Sequence, residues 1–330
     1  MIKLGNKEYK YGLALAPMAG YTDRAMRLAA YKMGAEYTVT EMVSAKAVVF
    51  GDKKTFKLAR IREDEGDVAL QMFGSEPEIM AEGASILYSA AEEHGGVKPV
   101  AIDINMGCPV NKIFSNGEGS ALMKDPELIY KIVYSVSRAV DVPVSVKIRA
   151  GVDLSSINAV ECALAAESAG AKFIAVHGRT RSQLYGGTAD REIIKNVKNC
   201  VQIPVIANGD IVDSASAIAM INDTGADGIM VGRGALGNPF IFEEIRAALE
   251  GEEYTPPTLR EKVEAALFEL KVAVEDKGEA FAIPEARKKI ALYFKGFRGS
   301  AHLRAGINSA TTYAEAERII HGLLRQEEGL

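Results

Sequence analysis

Ala169-Gly-Ala-Lys-Phe-Ile-Ala-Val-His-Gly-Arg179 is echoed further along the chain by Thr224-Gly-Ala-Asp-Gly-Ile-Met-Val-Gly-Arg233. Each copy reads as a helix end, a short apolar strand and a Gly-Arg pair, so the two halves of the chain look related. Val142-Pro-Val144 and Ile203-Pro-Val205 likewise each open a strand, proline being tolerated at a first position that needs no ladder donor. Outward from these copies, short Val- and Ile-rich runs alternate with longer helical patterns, the signature of βαβ units. Candidate strands lie at Leu13 to Pro17, Tyr37 to Met42, Val68 to Phe73, Val100 to Asn105, Val144 to Ile148, Phe173 to His177, Val205 to Asn208 and Gly228 to Val231. Eight such units predict an α/β chain closed into a (β/α)8 TIM barrel over residues 1–250.

The pattern then changes. Gly251-Glu-Glu-Tyr-Thr-Pro-Pro-Thr258 reads as a linker, because Pro-Pro cannot continue a helix. Residues 259–330 predict a helical-bundle domain of four helices. Thr258 with Glu261 and Thr312 with Glu315 have capping-box spacing, and Pro284 suits a first helical turn.

With 48% hydrophobic and 25% charged residues, the 330-residue chain can bury a large core and lies far from the disordered range. Its net charge of -5 excludes a protein that is basic throughout. Cys108, Cys162 and Cys200 are too few and too scattered for a disulfide scaffold, and no C-x-x-C pair with histidine partners suggests zinc. There is neither a signal-type apolar segment at the start nor a run of about 18 apolar residues anywhere. We therefore expect a cytoplasmic protein with no membrane and no metal.

An α/β barrel works at the C-terminal ends of its strands, so the side chains there carry the chemistry. Strand by strand they are Pro17 and Met18, Glu41, Gln71, Asn105 with Cys108, Lys147, His177, Asn208 with Asp210, and Gly232 with Arg233. Side chains alternate along a strand, so Ser145, Lys147 and Arg149 point one way, Lys147 into the barrel mouth. A buried ammonium needs an anion or an electron-rich ligand, and an ion pair with inward-facing Asp103 is the structural alternative. The glycine-bearing ends Asn208-Gly-Asp210 and Gly232-Arg-Gly234 predict a phosphate site, with Arg233 as a bidentate contact. Cys108 sits in a long glycine-rich loop after the fourth strand, where an ordinary thiol of pKa about 8.5 stays protonated at neutral pH and can act as an acid or a nucleophile. His177 supplies a switchable donor on a rim it shares with Arg179 and Arg181, which suits an anionic ligand or an RNA backbone.

Six motifs, Leu15-Ala-Pro-Met-Ala-Gly-Tyr-Thr-Asp-Arg24, Asp103-Ile-Asn-Met-Gly-Cys-Pro109, Val146-Lys-Ile-Arg149, Val176-His-Gly-Arg-Thr-Arg181, Pro204-Val-Ile-Ala-Asn-Gly-Asp210 and Met230-Val-Gly-Arg233, occur in order over the whole barrel. The sequence thereby resembles the tRNA-dihydrouridine synthases, most closely the bacterial B-type enzymes. That resemblance implies a flavin-dependent oxidoreductase with FMN in the barrel, NADPH as reductant and a helical tRNA-binding tail. It implies that Pro17, Met18, Ala19, Gln71 and Lys147 contact the flavin, that His177 contacts the flavin or its phosphate tail, and that Asn208, Gly209, Asp210, Gly232 and Arg233 hold the phosphate. It further implies that Cys108 gives a proton to C5 of a flipped-out uracil whose C6 takes a hydride, with Asn105 and Arg179 as candidates for uracil recognition.

The other readings to weigh are an FMN barrel acting on a free pyrimidine, in the manner of a dihydroorotate dehydrogenase, a Schiff-base aldolase using Lys147, and a non-catalytic RNA-binding or chaperone protein. RNA-facing charge is expected at the Arg179 and Arg181 rim and in one segment of the tail. Between Glu285 and Ala305 lie Arg287, Lys288, Lys289, Lys295, Arg298 and Arg304 against one acid. Ile290, Phe294 and Phe297 read as a helical core stripe, leaving Lys288 and Lys295 on another face as a phosphate-contact strip. Transfer RNA is the expected partner, with other structured RNA the second candidate.

Overall fold

A computed structural model describes residues 1–4, 7–297 and 299–327. Eleven strands occur among these residues: β1 (Ile2–Leu4), β2 (Lys7–Tyr9), β3 (Leu13–Leu15), β4 (Tyr37–Val39), β5 (Val43–Ser44), β6 (Val68–Phe73), β7 (Ala101–Met106), β8 (Val144–Arg149), β9 (Phe173–His177), β10 (Val205–Asn208) and β11 (Gly228–Val231). Eight parallel strands, β3, β4 and β6 to β11, are hydrogen-bonded in the order β4-β3-β11-β10-β9-β8-β7-β6, and β4 pairs with β6 to close the barrel. The short β5 adds a parallel pairing to β6 at Val43 and Ser44.

Helices alternate with the barrel strands: α1 (Arg24–Lys32), α2 (Ala45–Val49), α3 (Lys53–Ala59), α4 (Pro77–Ser89), α5 (Asn111–Ser115), α6 (Pro126–Ala139), α7 (Ala159–Ser168), α8 (Arg191–Cys200), α9 (Ser214–Thr224) and α10 (Ile241–Glu250). Helix α6 shows why they form. Asp125 accepts from the Leu128 N–H, Pro126 supplies a preset φ at the first position, and Ile129, Ile132, Val133 and Val136 recur on one buried face. Each of those side chains contributes about 1.5–3 kcal/mol on leaving water. The main core lies in this layer between strands and helices.

A second core fills the lower barrel, where Ala14, Tyr37, Ala69, Ala101, Phe173, Ala175, Ile206 and Met230 pack inside the ring with Ile2 and Tyr9. The β1–β2 hairpin, absent from the sequence expectation, brings Ile2 and Tyr9 to this layer. At higher levels of the same strands the inward positions become Gln71, Asp103, Asn105, Ser145, Lys147, His177 and Asn208, so the barrel is apolar below and polar at its mouth.

Residues 252–258 form no regular element, and helices α11 (Leu259–Lys277), α12 (Glu279–Tyr293), α13 (Ser300–Ser309) and α14 (Tyr313–Glu327) follow. Their core takes in Val263, Leu270, Ile290, Phe294, Leu303 and Ile320 and also receives Phe240 and Met33 from the barrel. Ala25 and Leu28 of α1 meet Val272, Ala273 and Ala282 in a separate apolar patch. Thr258 and Glu261 form a reciprocal capping box, whereas Thr312 caps Glu315 while the Glu315 carboxylate turns back to Thr311. Two local expectations are corrected. Pro284 lies inside α12 rather than in its first turn. Helix α12 stops at Tyr293, so Lys295 falls in the following turn and does not share a helical face with Lys288. No helix of the described residues is long and apolar enough to cross a membrane.

Candidate active site

Strand β7 delivers Asn105 to the mouth one turn before Cys108, and the Asn105 side chain shapes that turn. Its Oδ1 accepts from the N–H groups of Gly107 at 3.2 Å and Cys108 at 2.9 Å, while its Nδ2 donates to Gln71 Oε1 at 2.8 Å. Gln71 Nε2 donates to Asp103 Oδ2 at 2.7 Å, and Ser145 Oγ to Asp103 Oδ1 at 2.5 Å. On the far side of the turn, Arg149 Nε donates to the Gly107 carbonyl at 2.8 Å and Ser120 Oγ to the Cys108 carbonyl at 2.8 Å. The half-buried thiol is thus held by a polar chain three strands wide. Burial pushes the Cys108 thiol above its ordinary value, so at neutral pH it carries its proton.

Lys147 does point into the barrel, as strand parity required. Its Nζ donates to Asn208 Oδ1 at 3.0 Å, and Asn208 Nδ2 donates to the Met230 carbonyl at 2.7 Å. The alternative pair with Asp103 does not form. Strand register sets Asp103 level with Ser145, and Lys147 level with Asn105, one step nearer the mouth. Burial raises the Asp103 carboxyl, whereas burial and then the neighbouring Arg149 lower Lys147 to about 8. An anion delivered to the mouth would return Lys147 towards its usual value.

At the ends of β10 and β11, Gly209 has φ +128 and a Cβ there would sit 2.5 Å from Ala189 Cβ, so only glycine fits. Asp210, with φ +53, accepts from the Ala189 N–H at 2.8 Å and pairs with Arg179 Nη1 at 2.8 Å and Arg233 Nη2 at 3.5 Å. A Cβ at Gly232 would meet Ala16 Cβ and Met18 Sδ at 3.8 Å, an ordinary contact distance, so the β11 end lies beside the Met18 loop. His177 is not the switchable group the sequence suggested. Burial first, then Lys147, Arg149, Arg179 and Arg233, lower its pKa to about 2, and the ring stays neutral.

Rim arginines have partners of their own. Arg179 is fully buried and donates to the carbonyls of Gly186 at 3.0 Å and Gly187 at 2.6 Å, which makes it a brace for the 182–187 loop rather than an open donor. Arg181 donates to Asn111 Oδ1 at 2.6 Å and lies 3.9 Å from the Phe114 ring centroid, so it grips α5 of the Cys108 loop. In the tail, Arg287 donates to the Ala310 carbonyl at 3.1 Å, Lys288 lies 4.3 Å over the Tyr21 ring, Lys295 is exposed, and Arg298 lies outside the described residues. Sequence reasoning gave no role to Arg149 or Tyr185. Parity put Arg149 on the Lys147 side of β8. Tyr185, on an exposed loop with the Arg149 and Arg233 guanidiniums 5.9 and 4.7 Å from its ring centroid, had no sequence signal.

The sequence family described as Dihydrouridine synthase (Dus) matches residues 14–327. The chain is similar to a "Probable tRNA-dihydrouridine synthase" of Rickettsia conorii, at 41% identity over 93% of this chain and 92% of the relative. A protein of the same description from Treponema pallidum is 38% identical over 97% of this chain and 95% of the relative. The "tRNA-dihydrouridine synthase B" of Pseudomonas putida is 38% identical over 93% of this chain and 90% of the relative.

Proposed function

The chain belongs to the dihydrouridine synthase family, and from that premise we propose that it reduces the C5=C6 bond of specific uridines in tRNA to 5,6-dihydrouridine, with FMN as bound cofactor and NADPH as its reductant. The observation that carries this reading is the match of residues 14–327 to that family, joined by relatives named for tRNA-dihydrouridine synthesis over nine-tenths of their length.

The mouth has the donor set an anionic flavin needs. Lys147 is a cation bonded to a neutral amide, with no carboxylate partner among the described residues. Gly232 lies beside Met18, and Arg233 is half exposed at the same edge. Pro17, Met18 and Ala19 would bound the cofactor, Gln71, Lys147 and His177 would bind its polar edge, and Asn208, Gly209, Asp210, Gly232 and Arg233 would receive its phosphate. Bound and reduced, FMN supplies the hydride taken by C6 of the uracil.

The chain's own residues do the rest. Lys147 offsets the negative charge that the cofactor gains on reduction. Cys108 holds its proton on Sγ for C5, and the thiolate left behind regains one from water. Asn105 fixes the Cys108 turn by its amide oxygen. The uracil must leave the RNA stack to reach this mouth. Lys288 and Lys295 offer tail cations to the RNA backbone. Purified protein should be yellow, and NADPH should abolish the flavin absorbance. A colourless protein that FMN cannot reconstitute contradicts the cofactor assignment.

A further inference from the structure

The loop between β3 and α1, residues 16–23, contains the Pro17, Met18 and Ala19 segment assigned above to the flavin, and its outer end is held by the tail rather than by the barrel alone. Inside the loop, the N–H groups of Tyr21 and Thr22 donate to the Met18 carbonyl at 2.9 and 3.0 Å, Thr22 Oγ1 accepts from the Met18 N–H at 2.9 Å, and Glu41 accepts from the Gly20 N–H. These bonds fix a turn, and from the barrel side Arg27 Nη1 of α1 donates to the Thr22 carbonyl at 2.9 Å.

The tail adds a second anchor, Lys289 of α12. Its side chain is 10% accessible, and its Nζ donates to the Tyr21 carbonyl at 2.8 Å and pairs with Asp23 Oδ1 at 2.8 Å, with Glu269 Oε1 of α11 at 3.7 Å. Asp23 also caps α1 through the Met26 N–H at 3.2 Å and receives Lys277 Nζ on its other oxygen at 2.7 Å. Tyr293 donates to Glu269 at 2.7 Å, which leaves the Glu269 carboxylate positioned behind the lysine. Lys288, next on the helix, lies over the Tyr21 ring. A buried ammonium with one backbone carbonyl and two carboxylates around it tolerates little displacement, because each lost contact leaves a buried charge unpaired. The geometry therefore fixes Tyr21 and Asp23 relative to α12.

We propose that Lys289 is a positioning residue of the cofactor site: through the Tyr21 carbonyl and the Asp23 carboxylate, tail helix α12 sets the shape of the loop that bounds the flavin, so the barrel's binding face is complete only with the tail docked. The proposal rests on the assignment of Pro17, Met18 and Ala19 to the flavin. Coupling of this kind is reciprocal, so cofactor binding in the barrel must also stabilise the docked tail.

The test compares three full-length proteins whose FMN dissociation is followed by flavin fluorescence after folding is confirmed by circular dichroism. Lys289→Met should weaken FMN binding about tenfold or more. Asp276→Asn breaks a different contact between tail and barrel, the ion pair of Asp276 on α11 with Arg60 at 3.1 Å, without touching Tyr21, Asp23 or Lys289, and should bind FMN within twofold of the parent. Parental affinity in Lys289→Met, or equal weakening in both variants, overturns the proposal. If Lys289→Met does not fold, amide exchange in the parent protein decides: adding FMN should slow exchange in α12 around Lys289 as well as in residues 18–22, and an α12 that does not respond overturns the coupling. A parent protein that binds no FMN refutes the cofactor assignment instead, so the two failures are distinguishable.

Discussion

A thiol serves as an acid only if it keeps its proton until the substrate carbon demands it, and at Cys108 burial supplies that condition while Asn105 and Ser120 supply the aim. Cys108→Ala should retain FMN and its reduction by NADPH but lose about 10²–10⁴-fold in uridine reduction. Under the proposed acid role the thiol must be protonated, so the turnover of the parent enzyme on RNA should fall as pH rises through the elevated thiol pKa and should show no change from Cys108 titration below it. Stopped-flow measurement of the two half-reactions separates these outcomes, and unchanged turnover on tRNA would remove the acid role. The same residues show what could be read in advance. Inward orientation of Lys147 follows from the period of two along a strand. Its partner could not be read, because that depends on register: Asp103 lies one step deeper, where Ser145 and Gln71 already satisfy it. The neutral state of His177 was hidden for a related reason, since burial and four cations act on it from other strands and loops.

Among elements, the Cys108 loop is gripped from outside the strand that delivers it. Helix α5 has only five residues and none of them is buried, so it lacks the packing that normally holds a helix in place. Arg181 compensates, stacking on Phe114 and bonding Asn111. Phe114→Ala should therefore loosen the loop and lower kcat for uridine reduction about tenfold, with flavin reduction by NADPH unchanged. An equal loss in both half-reactions would mean that the variant damages the barrel itself. Strands and caps were legible because each depends on local pattern: alternating apolar residues for β8, and Thr258 with Glu261 for α11. Helix α12 was misread at both ends. Its residue pattern continues through Phe297, yet the chain leaves helical geometry after Tyr293, and Pro284 is accommodated six residues into the helix.

At the scale of the whole molecule, the net charge of -5 is compatible with an RNA substrate because the cations are placed rather than numerous. Arg233 is half exposed at the mouth, and α12 brings Lys288 to its edge over Tyr21. Other cations serve the fold instead: Arg179 braces a loop, Arg287 ties α12 to the end of α13, and Lys289 is buried between tail and barrel. The barrel's polarity gradient, apolar at the hairpin end and polar at the other, follows from which inward positions along each strand carry alanine and which carry amide or charge. The most direct test is to incubate the FMN-loaded full-length protein with NADPH and unmodified tRNA and to map 5,6-dihydrouridine by mass spectrometry. Dihydrouridine should appear at defined positions with the parent protein and be absent with Cys108→Ala; tRNA left unmodified by a flavin-loaded, NADPH-reducible protein, or a free pyrimidine reduced faster than tRNA, would contradict the assignment.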